Sequence, residues 1–118
     1  MEHEQPNDVL NLALALEHVG EDFGLLQDAA GLFVEEWPKL LSEIRQAVAR
    51  RDARTLRQAA HTLKGAASHF GAELTCQAAL RLETVAREGR LDQAPDALAG
   101  LESELARLES ALTIQGLR

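Results

Sequence analysis

Several features that catalysis commonly needs are scarce or absent in this sequence of 118 residues. A single cysteine excludes an internal disulfide and any Cys-x-x-Cys metal or redox motif, as is typical of a reducing compartment. The eight glycines are scattered singly, so there is no glycine-rich phosphate loop, and the Gly-x-Ser-x-Gly and His-Glu-x-x-His motifs are missing. The sequence therefore predicts a protein without a nucleotide or metal site of its own, and argues against an enzyme.

Long apolar runs and an excess of basic residues are also lacking. No apolar run approaches the roughly 18–20 residues of a membrane span, and the acidic start lacks the basic and apolar regions of a signal peptide. The 19 acidic and 12 basic residues give a net charge of −7, which argues against nucleic acid as a partner. We expect one cytoplasmic, monomeric domain over residues 1–118, with its core at about 8–114.

Alanine, leucine, glutamate and arginine are abundant, and apolar residues recur at spacings of three and four, which favours helix. Polar residues that cap helix starts and glycines that end helices divide this pattern: Asn7, Asp8, Asp22 and Asp52, then Gly20, Gly71 and Gly89. Within the second segment, Pro38 should introduce a kink or a break. The predicted helices are 9–17, 22–51, 53–70, 72–87 and 95–114.

Four long amphipathic helices with short connections predict an all-α fold, an antiparallel up-down four-helix bundle whose short N-terminal helix closes one end. The last helix carries the most regular apolar seam, in which leucines alternate at spacings of three and four: Leu98, Leu101, Leu105, Leu108 and Leu112. A coiled coil fits less well, because no heptad register continues across the connections.

His61 lies on the solvent-facing side of the predicted helix 53–70. At about 100° per residue, the apolar residues of this helix cluster on the side opposite His61: Leu56, Ala59, Leu63, Ala66, Ala67 and Phe70. Five residues share the side of His61: Arg54, Arg57, Lys64, Gly65 and Ser68. Since a lone exposed histidine usually has no role, the interpretation of His61 depends on these neighbours.

Gly65 and Lys64 each lie one turn from His61. Glycine inside a helix costs about 1 kcal/mol relative to alanine, and a glycine on the exposed face is not needed for helix packing. The missing side chain leaves the imidazole open to a large partner. Lys64 places an ammonium group beside that opening, where it can neutralise an anion carried by the ring, although a solvated lysine is the alternative.

Basic residues are concentrated around His61. Six basic residues and one acidic residue lie between Arg45 and Lys64, in a chain that is otherwise strongly acidic. Such a zone would steer an acidic partner towards His61, although a solvated helix face would show the same pattern. We expect Arg54, Arg57 and Ser68 to contact the partner.

The run AHTLKGAA at 60–67, followed by FGA at 70–72, resembles the histidine phosphotransfer (HPt) domains of bacterial multistep phosphorelays and hybrid sensor kinases. The resemblance continues through Leu82-Glu83 to the segment 87–89, and more loosely from Asp8 to Leu112. It implies a four-helix bundle in which His61 accepts a phosphoryl group from a receiver-domain aspartate and passes it to another. It further implies that Lys64 lies near the phosphoryl group and that Gly65 provides clearance for the partner.

Glu83 falls where the similar domain of chemotaxis kinases has a glutamate that contacts the histidine ring, whereas many phosphorelay members have glutamine. A carboxylate that accepts Nδ1–H leaves Nε2 of the imidazole free to attack phosphorus, and this is the role implied for Glu83. An ordinary surface glutamate is the alternative. Because the chain shows no carboxylate cluster, we expect no cofactor of its own, with Mg²⁺ held by the partner. The partners implied are response-regulator receiver domains and a hybrid sensor kinase.

Two other functions remain open at this point. The phosphorylatable domain of a chemotaxis-type histidine kinase would accept phosphate from ATP bound to another domain, and Glu83 favours this interpretation. A helical scaffold that is never phosphorylated would keep its function in His61→Gln and would tolerate a large side chain at Gly65.

Overall fold

The computed structural model describes residues 6–118, and within this range the regular structure is helical, without strands. Its elements follow one another through short turns: α1 (Pro6–Val9), α2 (Leu12–His18), α3 (Phe23–Arg50), α4 (Ala53–Ser68), α5 (Glu73–Arg87), a 3₁₀ turn (Leu91–Gln93) and α6 (Ala94–Ile114). The four long helices α3–α6 form the bundle, and the predicted all-α four-helix architecture is confirmed. Within the bundle, α4 packs against α3 and α5, and α6 packs against the same two helices.

Each long helix turns its apolar face towards a common core. The largest fully buried apolar side chains come from all four helices: Leu26, Ile44, Leu56, Leu63, Leu82, Leu101, Leu105, Leu108 and Leu112. The predicted α6 seam is therefore in the core, with Leu98 partly buried at its start.

The N-terminal segment differs from the predicted single helix 9–17, because it forms two short helices, α1 and α2. Asn11 separates them in an extended conformation. Its backbone N–H donates to the Phe70 carbonyl at 3.0 Å, while its side-chain oxygen accepts the Leu14 N–H at 3.1 Å. The predicted caps Asn7 and Asp8 lie inside α1. Tertiary hydrogen bonding at Asn11 thus overrides the continuous helix that local propensity favours.

Of the two outcomes expected at Pro38, a kink or a break, the break is absent, because α3 runs through this residue undivided. One other helix boundary differs from the prediction. Helix α4 ends at Ser68 rather than Phe70. After Ser68 the backbone forms a tighter turn, in which an N–H donates to the carbonyl three residues earlier, as Phe70 N–H does to Ala67 O. Gly71 then takes the left-handed conformation expected of it, with φ = 58°. The reversal allows α5 to pack antiparallel to α4.

Candidate functional site

Helix α4 presents His61 to solvent, as its position on the helix predicts. Asp52 caps the start of the helix, since its side chain accepts the Thr55 N–H at 3.1 Å. Hydrogen bonds from the Thr55 side chain and then from the Thr55 backbone lower the pKa of the Asp52 carboxyl. The opposite face is anchored in the core by Leu56 and Leu63, which are fully buried. The His61 side chain is 66% exposed. The ring is therefore held on a rigid element and left open.

Glu83 of α5 reaches the His61 ring across the α4–α5 contact. Its Oε2 lies 3.0 Å from His61 Nδ1, which places a hydrogen-bond acceptor on that ring nitrogen. Glu83 is buried, unlike an ordinary surface glutamate. When Nδ1 carries the proton and donates it to Glu83, the lone pair of the imidazole is on Nε2.

Lys64 contacts the other oxygen of the same carboxylate. Its Nζ donates to Glu83 Oε1 at 2.7 Å, and the lysine side chain is partly buried. The ammonium is thus bound to Glu83 rather than free beside His61. Glu83 joins the two α4 residues, and we call His61, Lys64 and Glu83 the triad.

The two partners keep Glu83 ionised. Burial raises the pKa of its carboxyl, but the hydrogen bonds from Lys64 and His61 outweigh burial, so the pKa lies below its usual range. The triad therefore holds a carboxylate against the ring at neutral pH.

Gly65 leaves open space beside the triad. A Cβ built at Gly65 would meet no heavy atom within 4 Å, so no neighbouring helix requires glycine here. Ser68, one turn further, is exposed and donates its hydroxyl to the Gly65 carbonyl at 2.6 Å. Both residues lie on the accessible face, as the sequence predicts, although the Ser68 hydroxyl is occupied by the helix backbone.

A groove of about 530 Å³ lies between α4 and α5 on the N-terminal side of His61. The predicted partner contacts Arg54 and Arg57 line it, together with Arg87, which sequence reasoning missed. Arg87 lies one turn after Glu83 on α5. This spacing places it on the same helix face as Glu83, and it could have identified Arg87 from the sequence. We call Arg54, Arg57 and Arg87 the arginine groove.

A second groove, of about 260 Å³, lies between α3 and α4 towards the C-terminal end of α4. Apolar side chains dominate it, with Glu36 and His69 at its edge: Ala29, Leu32, Phe33, Ala66 and Phe70. Leu32 is 63% exposed. This groove, which we call the Leu32 groove, was not identified from the sequence, because the relative rotation of α3 and α4 determines it.

The thiol of Cys76 does not belong to the triad. Cys76 is partly buried against the core, and its thiol is 3.5 Å from the Lys64 carbonyl. Burial raises the pKa of the thiol, which disfavours the reactive thiolate. Among residues 6–118, no group of three or more His, Cys, Asp or Glu is arranged to hold a metal ion, and no helix is long and apolar enough to span a membrane.

Comparison with known proteins decides the family. The family model described as "Hpt domain" matches residues 28–111, which include α4, α5 and the complete triad. The chain belongs to the Hpt domain family. No curated protein searched matches it.

Solved structures agree with this Hpt domain in fold. Histidine-containing phosphotransfer protein B (HptB) from Pseudomonas aeruginosa PAO1 is 26% identical, with a TM-score of 0.83 over 90% of this chain and 92% of that one. The HPT domain of a sensor hybrid histidine kinase from Shewanella is 21% identical, with a TM-score of 0.77 over 91% of this chain and 92% of that one. The domain is a phosphocarrier, a histidine phosphotransfer intermediate of a phosphorelay.

Proposed function

We propose that His61 is the phosphoryl acceptor of this Hpt domain. The observation that carries the proposal is that one ring nitrogen, Nδ1, lies 3.0 Å from a buried carboxylate while the ring is 66% exposed. A phospho-accepting imidazole needs both conditions, because one nitrogen must hold the proton and the other must reach the donor.

The transfer proceeds by attack of the Nε2 lone pair on the phosphorus of a receiver aspartyl phosphate. The N–P bond forms as the aspartyl P–O bond breaks, and the bonding electrons return to the aspartate carboxylate. Nδ1 keeps its proton in the hydrogen bond to Glu83, which stabilises the positive charge gained by the ring. The same steps in reverse pass the group from His61 to a second receiver.

Lys64 and Gly65 assist this step without forming or breaking bonds. Lys64 fixes Glu83 through the 2.7 Å bond, and its ammonium neutralises part of the charge brought by the phosphoryl group. Gly65 provides clearance for the docked partner. Arg54 and Arg57 contact the partner from the arginine groove, and Ser68 from the other side of Gly65.

The residues available support a carrier that uses its partner's machinery. The Mg²⁺ and acidic pocket that phosphoryl transfer uses belong, on this proposal, to the receiver domain. Response-regulator receivers and a hybrid sensor kinase are the partners, with no role for nucleic acid, since the chain has a net charge of −7. We further propose a monomeric, cytoplasmic domain spanning residues 1–118.

The alternative of a chemotaxis-type kinase domain is favoured by one observation, namely that a glutamate rather than a glutamine contacts His61. It differs in the donor, which is ATP bound to a separate kinase domain. A non-phosphorylated scaffold would not need the His61–Glu83 contact.

A phosphotransfer profile tests the function and separates these candidates. The protein is incubated with each phosphorylated receiver of the source organism, and in parallel with a chemotaxis-type kinase and ATP. We expect rapid acquisition of label from one or a few receivers. Labelling by the kinase and ATP alone would favour the kinase-domain alternative, and no labelling in any reaction would favour the scaffold.

A further inference from the structure

The triad does not balance the charge of a phosphoryl group on His61. Lys64 and the ionised Glu83 are joined by the 2.7 Å hydrogen bond, so together they add no net charge beside the ring. A phosphoryl group on a side chain carries about −1.5 to −2 charges at pH 7, whereas the imidazole that keeps its Nδ1 proton contributes a single positive charge. About one negative charge of the phosphoryl group therefore remains for another cation to balance.

Lys64 is not free to supply this cation by a direct bond. Its side chain is partly buried, and the carboxylate that accepts its hydrogen bond, Glu83, is buried as well. If Lys64 turned towards the phosphoryl group, this buried carboxylate would lose its charged donor, which is unfavourable. The ammonium therefore acts on the phosphoryl group only through space.

Arg57 lies one turn before His61 on the same helix. Charged residues four apart on a helix are close enough to form ion pairs, and the side chain of a helical residue leans towards the turn before it. The His61 ring therefore leans towards Arg57, and both residues line the groove of about 530 Å³ between α4 and α5. Arg57 is exposed and forms no ion pair with residues 6–118, so its guanidinium has no carboxylate to leave.

The other arginines near this end of α4 are less well placed. Arg54 lies about 10 Å along the axis from His61. Arg50 and Arg51 also form no ion pair within the described part of the chain, but they precede α4 and do not line the groove. Arg87 lines the groove from the other helix, but it is the last residue of α5, where helix ends fray. Position, and not the absence of an ion pair, distinguishes the arginine one turn before the ring.

We propose that the guanidinium of Arg57 donates hydrogen bonds to the phosphoryl oxygens on His61 and stabilises the phosphorylated form of this domain. This inference rests on the proposed function of His61. Arginine suits the role because its planar set of donors matches phosphate oxygens and its charge does not depend on pH in the physiological range. Arg57 thus acts on the transferred group itself, in addition to its contact with the partner.

This role differs measurably from that of a residue that only docks the receiver. A docking contact is present before and after transfer alike, so it changes the forward and reverse rates by the same factor. It leaves the equilibrium constant of transfer unchanged, because it favours neither side of the exchange. A contact made only in the phosphorylated domain stabilises one side and therefore changes that constant.

The test measures the equilibrium constant for exchange of the phosphoryl group between the chain of 118 residues and a receiver. The receiver is the one that exchanges phosphate fastest in the transfer profile. The two proteins are mixed with Mg²⁺, starting from either phosphorylated partner, and both mixtures must reach the same ratio. In Arg57→Gln the ratio should shift towards the phosphorylated receiver by about two- to fivefold, as expected of one exposed charge pair. The shift should be smaller at high salt than at low salt.

A second measurement needs no receiver. The chain is phosphorylated with phosphoramidate, a small donor, and the phosphoryl signal is followed by ³¹P NMR as the pH is raised. A nearby cation favours the doubly charged phosphoryl group, so the pKa of this group should be higher in Arg57→Gln than in wild type. Arg57→Lys keeps the positive charge and should restore most of both effects.

Arg50→Gln and Arg54→Gln are the matched controls. Arg50→Gln removes the same charge outside the groove and should leave both rates and the equilibrium constant unchanged. Arg54→Gln removes a groove arginine that lies further from the ring. Any loss of rate in this variant should be equal in the two directions, with the equilibrium constant unchanged. Thermal melts establish that each variant is folded.

A wild-type value of either measurement in Arg57→Gln would overturn the proposal, whatever happens to the rates. An equal shift in Arg50→Gln would also overturn it, since net charge alone would then be the cause. A shift in Arg87→Gln and not in Arg57→Gln would place the contact on α5 instead. Failure of the proposed function is distinct, because His61→Gln would then still be labelled by phosphoramidate at the wild-type rate.

Discussion

Oε2 of Glu83 lies 3.0 Å from Nδ1 of His61, although the two residues are on different helices and 22 positions apart in the chain. The carboxylate is buried while the ring is exposed. The α4–α5 packing therefore places a carboxylate on Nδ1, and on the proposed function this contact leaves the Nε2 lone pair to the partner. Lys64, on the second oxygen, keeps the carboxylate in place.

The first prediction concerns the pH dependence of stability. Because the hydrogen bonds of the fold lower the pKa of Glu83, its charged form stabilises the folded state above the ordinary value of 4.5. This contribution should be lost as the pH falls below that value and through the folded pKa. Urea denaturation between pH 7 and pH 3 should show that the unfolding free energy falls more steeply with pH for wild type than for Glu83→Gln. Parallel curves for the two proteins would contradict the lowered pKa.

The second prediction concerns Lys64, whose ammonium is bound to a buried carboxylate. Lys64→Met should lower the unfolding free energy by about 1–3 kcal/mol, because Glu83 loses a charged hydrogen bond. Lys39→Met is the control, since Lys39 pairs with Glu36 on an exposed surface at 3.4 Å and such pairs contribute about 0–1 kcal/mol. Urea denaturation at pH 7 measures both, and equal losses would contradict a structural role for the Lys64–Glu83 bond.

The third prediction separates stability from docking at Gly65. Gly65→Ala should raise the unfolding free energy by about 0.5–1 kcal/mol, since open space surrounds the added methyl group. Gly65→Gln should remain folded and yet slow transfer to a receiver by about tenfold or more, because the side chain displaces the partner.

Gly100 of α6 provides the control for Gly65. It is also a helical glycine with open space around its Cβ position, and Gly100→Gln should transfer at the wild-type rate. Receiver transfer assays and thermal unfolding check both positions. Normal transfer by Gly65→Gln would remove the clearance argument.

The fourth prediction compares two left-handed glycines. Gly71→Ala would place a Cβ 2.6 Å from the Asn11 Cβ, where the N-terminal segment packs on the α4–α5 turn. Gly89→Ala has the same backbone strain, at φ = 70°, but meets nothing within 4 Å. We expect a loss of about 1 kcal/mol at Gly89 and a further loss of about 1–3 kcal/mol at Gly71, by chemical denaturation. Equal losses would show that the Asn11 contact contributes nothing.

The sequence was sufficient for features that depend on local spacing. Helix periodicity places Leu63 in the core and His61 on the solvent face of α4, and both are observed. The glycines that end helices were also identified, since a positive φ is required at Gly71 and Gly89. Glu83 was singled out by family resemblance, because nothing local to Glu83 indicates a neighbour on another helix.

Features that depend on how helices meet were missed. The extended backbone of Asn11 follows from its hydrogen bond to Phe70, a contact between distant parts of the chain. Arg87 joins Arg54 only because α5 runs antiparallel to α4. The binding of Lys64 to Glu83, in place of a free ammonium, likewise required the packed structure.

Whether His61 is the phosphoryl acceptor is decided by locating the phosphoryl group after transfer from a phosphorylated receiver. The labelled protein is kept in alkali, digested and analysed by mass spectrometry, with ³¹P NMR to identify the nitrogen. We expect acid-labile, alkali-stable label on Nε2 of His61, and none in His61→Gln. Label on another residue, on Nδ1 of His61, or in an acid-stable linkage would contradict it.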